Sequence, residues 1–219
     1  MIANASETPR VPATQFMGSA IRAAVPASKP VCGIAVTATM KEQWGSKFAH
    51  IEPWLRFPEA VEKEPLPVIA IFRDESPAPG RDSMIGEGMP RAMRAAGAVA
   101  VVCDGCIRDK AAPREMALPV WASGLVADRG HIRFHRYQVP MQIGGMKVNP
   151  GDLIHADENG AVVVPRDCVE EVLEAAAQIS AKEAHLFAMF EAPGFRVAQL
   201  YDFYAEALKS VRAAGTGES

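Results

Sequence analysis

The stretch from Gly86 to Asp109, GEGMPRAMRAAGAVAVVCDGCIRD, decides the fold. Met89, Met93 and Ala96 recur at helical spacing, which predicts a helix over residues 87–96. Pro90 falls in its first turn, where a missing N–H is tolerated, and Gly97 ends it. Residues 98–103 then form an unbroken apolar run, the pattern of a strand buried on both faces. A second such run, residues 68–72 behind Pro67, lies upstream, joined by a Ser/Pro/Gly loop at 76–80. Strand, helix and strand in this order place both strands parallel in one sheet. Their loops gather at the carboxyl ends, where open α/β sheets bind ligands.

Outward from that unit the texture varies. Residues 1–12 hold two prolines and few apolar anchors and read as an N-terminal arm. Phe16, Ala20 and Ala24, with Ile21 beside them, predict a short helix over 14–24 that Pro26 stops. Residues 31–37 predict a strand. Between Lys47 and Glu64, Ile51, Trp54, Leu55 and Val61 form a roughly helical stripe, interrupted by Pro53 and Pro58, that would cover the sheet. After Trp121 short strands alternate with turns at Gly144-Gly145, Pro150-Gly151-Asp152 and 157–160. From Arg166 onward the pattern is helical, broken at Pro193-Gly194. The expectation is a mixed α/β layered fold: an arm (1–12), one main domain (13–165) and C-terminal helices (166–219) packing on the domain or an oligomer.

Composition narrows the function. The 219 residues are 49% hydrophobic and 22% charged, ordinary for a globular protein. A net charge of −3 gives no electrostatic case for nucleic acid. No apolar run approaches the roughly 20 residues of a membrane span, and the start lacks the marks of a signal peptide. A cytoplasmic location with reduced cysteines is therefore expected. Cys103 and Cys106 have C-x-x-C spacing, but Cys32 and Cys168 are solitary and complete no zinc site. A redox role stays open beside the simpler reading of one buried strand residue and one loop residue.

Two constellations could carry chemistry. At Gly86-Glu87-Gly88-Met89 the helix entry presents unpartnered N–H groups suited to a carboxylate or phosphate, with Glu87 as a proton carrier. The alternative is a plain helix start whose Glu favours the dipole. At Arg108-Asp109, the arginine offers a cationic fork for a carboxylate or oxyanion, and the aspartate an oxygen for a hard divalent ion. The alternative is that the two neutralise each other on a loop. Topology brings both constellations to one rim. His131, Arg133 and His135 share one strand face and read as polar surface or subunit contact rather than metal ligands, and Lys110 as a solvated loop residue rather than a Schiff-base lysine.

The order of these motifs resembles the RraA-like family: Gly86-Glu87-Gly88-Met89, an apolar strand, Asp104-Gly105-Cys106-Ile107-Arg108-Asp109, then Leu118-Pro119-Val120-Trp121-Ala122-Ser123-Gly124, and Gly144-Gly145 through Pro150-Gly151-Asp152 to Asp157 and Gly160. The resemblance covers about residues 30–165. It is poor over 40–67 and in the C-terminal helices. It implies a swivelling-type β/β/α fold, assembled as a trimer or dimer of trimers with active sites between subunits. It also implies a lyase of the metal-dependent aldolase type, cleaving 4-hydroxy-4-methyl-2-oxoglutarate-like 4-hydroxy-2-keto acids and decarboxylating oxaloacetate. Asp109 would hold Mg²⁺ or Mn²⁺, Arg108 and the Gly86–Met89 backbone would bind substrate, and Glu87, where many members have Asp, would assist proton transfer. The alternative within the family is a non-enzymatic regulator that binds an RNA-degrading enzyme. Residues 40–67 and 126–137 are where substrate preference is expected to be set.

Overall fold

Strands β3 (Val68–Asp74) and β5 (Ala98–Cys103) pair in parallel at the centre of the sheet. Val68, Ala70 and Phe72 enter one apolar cluster, and Ile69 and Ile71 enter another on the opposite face. Burial on both faces is why these runs are apolar at every position. The computed structural model describes residues 15–45 and 51–205, together with Ile2 and Ala5.

β2 (Val31–Glu42) flanks β3 in parallel and is longer than the expected 31–37. Its other edge is shared by two antiparallel strands. β12 (Leu153–Asp157) takes residues 31–34, and β9 (Ile132–Tyr137) takes residues 38–42. With β1 (Arg22–Val25), β7 (Val120–Ala122) and β13 (Gly160–Val164), the sheet runs β1-β7-β5-β3-β2-β12-β13, β9 lying off that path.

Helices α1 (Ile51–Glu62) and α2 (Gly88–Ala95) cover one face through Phe57, Val61, Met89 and Met93. A small parallel sheet of β4 (Ser83–Ile85), β6 (Cys106–Ile107) and β8 (Gly124–Leu125) lies on the same side and adds Met84, Ile85 and Ile107 to that cluster. The hairpin β10 (Met141–Ile143) and β11 (Met146–Val148) covers the opposite face. Gly144 and Gly145 both have positive φ, 54° and 85°, as a tight two-residue hairpin turn requires. The layers are thus hairpin, central sheet and helices, a β/β/α arrangement. Beyond α3 (Ala111–Glu115), the long α4 (Val169–Glu191) packs Val172 and Ala176 against Val162 and Val164. Its later turns and α5 (Ala198–Phe203) leave Phe187, Phe190 and Tyr201 exposed. Pro193-Gly194 separates these helices, as expected.

Three expectations need correction. The helix predicted over 14–24 is absent within the described residues (Thr14 lies outside them). Phe16 bridges to Val162 and residues 22–25 form β1. Ile21 and Val25 are drawn to opposite faces of the sheet, and this tertiary pairing overrides a weak helical spacing. In α1 the inward stripe is Trp54, Phe57 and Val61, whereas Ile51 and Leu55 are exposed, and Pro58 is accommodated inside the helix. Cys106 lies in β6, not in a loop. Lys47–His50 and residues 206–219 fall outside the described residues, as does most of the predicted arm; Ala5 is buried beside Val162.

Candidate active site

β4 and β6 are parallel neighbours with Ile85 opposite Ile107. The residues that leave their carboxyl ends, Gly86 and Arg108, therefore emerge side by side, and the Arg108 N–H donates to the Ile85 carbonyl at 2.9 Å. This pairing, not the rim of the central sheet alone, brings the two constellations together. A Cβ on Gly86 would lie 3.0 Å from Nε of Arg108 and 3.3 Å from Oδ2 of Asp109. Glycine is the residue that admits both side chains at this distance. Gly105, just before β6, leaves room for the Met84 side chain of β4, which a Cβ there would run into.

Asp109 sits at φ +56°, a left-handed conformation that Asp tolerates better than most residues. From there Oδ2 accepts the Glu87 N–H at 3.3 Å and lies 3.5 Å from Nε of Arg108. Asp109 thus faces the entry of α2, where N–H groups lack helical partners. Both side chains stay partly open to solvent, at 34% for Arg108 and 43% for Asp109. The pair is in contact, yet neither member is used up by the other. Glu87 turns its carboxylate to Arg91, which donates from Nε at 3.0 Å and Nη2 at 2.8 Å. Arg91 also lies 3.8 Å from Glu115.

These groups line a cleft of about 340 Å³ with Trp54, Arg129 and Arg133. The two arginines were not identified as site residues from the sequence. Arg133 sits opposite Lys41 in the β2–β9 pairing, and the Ser83 N–H donates to the Asp128 carbonyl, which holds the loop carrying Arg129 against β4. Burial, and Arg129 beside it, pull the Arg133 guanidinium below its usual value, though an arginine stays charged at neutral pH. The alternation of His131, Arg133 and His135 is the one available signal, and by itself it reads as polar surface or subunit contact. His131 instead stacks on Trp44. Both segments expected to set preference reach the cleft, the first through Trp54 and the second through Arg129, Ile132 and Arg133.

Three arginines against Asp109 and a pre-engaged Glu87 leave the cleft with an excess of positive charge, chemistry suited to an anion. Asp109 and Glu87 are the carboxylates among the expected residues that line the cleft, with Glu87 turned to Arg91, and no group of three or more His, Cys, Asp or Glu side chains suited to a metal occurs among the described residues. One carboxylate suits a hydrated hard cation of the Mg²⁺ type, which keeps several waters, and does not suit a zinc cage. Cys103 and Cys106 are unlinked thiols; burial pushes Cys103 well up, which leaves it inert, and Cys106 approaches the Ser123 hydroxyl at 3.7 Å. Lys110 is exposed just before α3 and does not line the cleft. No helix among the described residues is long and apolar enough to cross a membrane.

Comparison with known proteins agrees with this architecture. The RraA-like (Aldolase/RraA) family model matches residues 7–163. Protein DlpA of Legionella pneumophila is 34% identical over 87 residues, 39% of this chain and 14% of its own. A Halalkalibacterium halodurans protein named "Putative 4-hydroxy-4-methyl-2-oxoglutarate aldolase" is 33% identical over 97 residues, 44% of this chain and 45% of its own. The match thus spans less than half the length of these relatives. Among solved structures, Streptomyces coelicolor RraAS2, described as an unusual member of the RNase ES inhibitor RraA family, superposes with a TM-score of 0.61 at 24% identity, covering 80% of this chain and 83% of that one. With the family model matched across most of its length, the chain belongs to the RraA-like family.

Proposed function

We propose that the chain is a divalent-metal-dependent lyase that cleaves 4-hydroxy-2-keto acids of the 4-hydroxy-4-methyl-2-oxoglutarate type to pyruvate, and decarboxylates oxaloacetate. The observation that carries this reading is the convergence of Arg108, Asp109 and the α2 entry in one cleft rimmed by Arg129 and Arg133. Asp109 would hold Mg²⁺ or Mn²⁺, which when bound supplies Lewis-acid stabilisation to the keto acid.

Cleavage breaks the C3–C4 bond, moves its electron pair into the enolate of pyruvate and removes the proton of the 4-hydroxyl. Arg108 faces the developing enolate oxygen. A preorganised charge of this kind contributes about 3 kcal/mol to the transition state. The N–H of Gly88 at the helix entry orients the substrate carboxylate. Glu87, released from Arg91, takes the hydroxyl proton directly or through water. Oxaloacetate needs the same electron sink but no such base. A purely inhibitory member of the family has no need of this set.

The same reading carries a trimer or dimer of trimers, a cytoplasmic setting, and no nucleic-acid or membrane partner. The exposed Phe187, Phe190 and Tyr201 on the C-terminal helices suit subunit contact. Pyruvate release from 4-hydroxy-4-methyl-2-oxoglutarate and from oxaloacetate, lost in EDTA and restored by Mg²⁺ or Mn²⁺, tests the reading. Metal-independent turnover trapped by borohydride would point instead to a lysine mechanism, and no turnover under any condition would overturn the enzyme.

A further inference from the structure

A second chamber adjoins the cleft. It measures about 260 Å³, and its walls include Met40, Ile51, Trp54, Ile132 and Phe134. Met84, Met89, Trp54, Ile132, Arg129 and Arg133 line both chambers, so the two adjoin along these side chains. Their characters differ. The cleft presents Arg108, Asp109 and helix N–H groups, whereas the recess is walled by methionine, aromatic and aliphatic side chains, with the two shared arginines at the boundary. Met40, Met84, Met89 and Phe134 are each less than 9% exposed, so this is a formed wall. Thioether side chains adapt to ring-shaped guests and contact aromatic edges favourably.

We infer that the recess holds the apolar C4 substituent of the substrate, and that the preferred substrates are 4-hydroxy-2-oxoglutarates bearing an arylmethyl or branched alkyl group larger than methyl at C4. The inference rests on the reaction proposed above and adds its specificity. In that placement the keto-acid end lies at Arg108 and Asp109. The C4 carboxylate meets Arg129 and Arg133, at the boundary both chambers share. The second substituent of C4 then has the recess before it. Cleavage balances without a co-reactant: the C3–C4 bond breaks, the hydroxyl proton leaves, the enolate is protonated to pyruvate, and C4 departs as a second 2-keto acid. With a benzyl substituent that product is phenylpyruvate.

Ile51 decides the test, because it lines the recess and not the cleft, and it is 51% exposed on α1, where a polar residue is compatible with folding. The metal-loaded protein is assayed with 4-benzyl-4-hydroxy-2-oxoglutarate and with 4-hydroxy-4-methyl-2-oxoglutarate. The expected kcat/KM favours the benzyl compound by about tenfold or more, the effect of added apolar contact in a pocket. Ile51→Lys is expected to erase most of that ratio. Cleavage of both compounds with no preference, or a preference that Ile51→Lys leaves intact, overturns the inference while the aldolase reading stands. Calorimetry with 4-benzyl- and 4-methyl-2-oxoglutarate, which lack the hydroxyl and cannot be cleaved, separates the remaining cases. Tighter benzyl binding that Ile51→Lys abolishes, in a protein that cleaves nothing, keeps the recess and discards the reaction. Equal binding in such a protein overturns both.

Discussion

The backbone N–H of Glu87 donates to Oδ2 of Asp109 across 3.3 Å, so the residue expected to hold the metal also tethers the backbone just before the helix expected to bind the substrate. Asp109→Ala removes the carboxylate and leaves a residue at φ +56° without the polar side chain that eases that conformation. It is expected to abolish both pyruvate-forming activities and to lower unfolding stability by about 1–2 kcal/mol. Asp109→Asn keeps an acceptor and the turn; it should unfold near the parent yet show no metal-dependent turnover. Chemical denaturation beside the two assays checks both parts. An active Asp109→Ala protein would remove Asp109 from the proposed site.

Glu87 tests the division between the two reactions. Its carboxylate is held by Arg91, but in an exposed pair of this kind, with side chains 57% and 49% open, the interaction is worth only a few tenths of a kcal/mol. Binding of an anionic substrate can release it at little cost. Glu87→Gln is expected to slow aldol cleavage about a hundredfold, the lower end of what a positioned base contributes, and oxaloacetate decarboxylation far less. Equal losses in the two assays would refute the proton-transfer role.

How much of this was legible in the sequence follows the length of each element. Residues 68–72 and 98–103 announce themselves, because burial on both faces demands an unbroken apolar run. The helix over 88–95 does so through Met89 and Met93. What brings Gly86 and Arg108 together is β4 against β6, strands of three and two residues, too short to show any period. The meeting was inferred from topology and is realised by a pairing that no pattern marks. Arg129 and Arg133 were missed for a related reason. Whether an alternating charged strand faces water or a cleft depends on what lies above it, here Trp54 of α1, and that is a fact of tertiary packing.

Arg133 should discriminate by substrate charge. It borders the place proposed for the C4 carboxylate, and a hydrogen bond to a charged group contributes about 1.5–3 kcal/mol. Arg133→Gln is thus expected to raise KM for 4-hydroxy-4-methyl-2-oxoglutarate by roughly 10- to 100-fold, by the same principle. For 4-hydroxy-2-oxopentanoate, which lacks that second carboxylate, KM should change little. Steady-state kinetics on the two substrates decide it. An equal rise for both would place Arg133 at the keto-acid end instead.

Asp104, at the end of β5, links stability to pH. Its Oδ1 accepts the Asp74 N–H at 2.7 Å, while Asp74 is itself buried and accepts from the Ser76 and Gly80 N–H groups. Burial, more than the neighbouring Asp74 charge, raises Asp104 from its ordinary 3.8 to about 6. The sign follows from proton uptake. Between these two values the folded protein binds a proton that the unfolded chain has released, so low pH favours the fold, and this contribution is lost as pH rises through about 6. Asp104→Asn keeps the Oδ1 acceptor and removes the ionisation. Its stability relative to the parent should therefore be similar near pH 4 and higher by on the order of 1–3 kcal/mol at pH 8. Urea unfolding at both pH values measures the difference. A gain that does not grow with pH would show that Asp104 is ionised in the fold without cost.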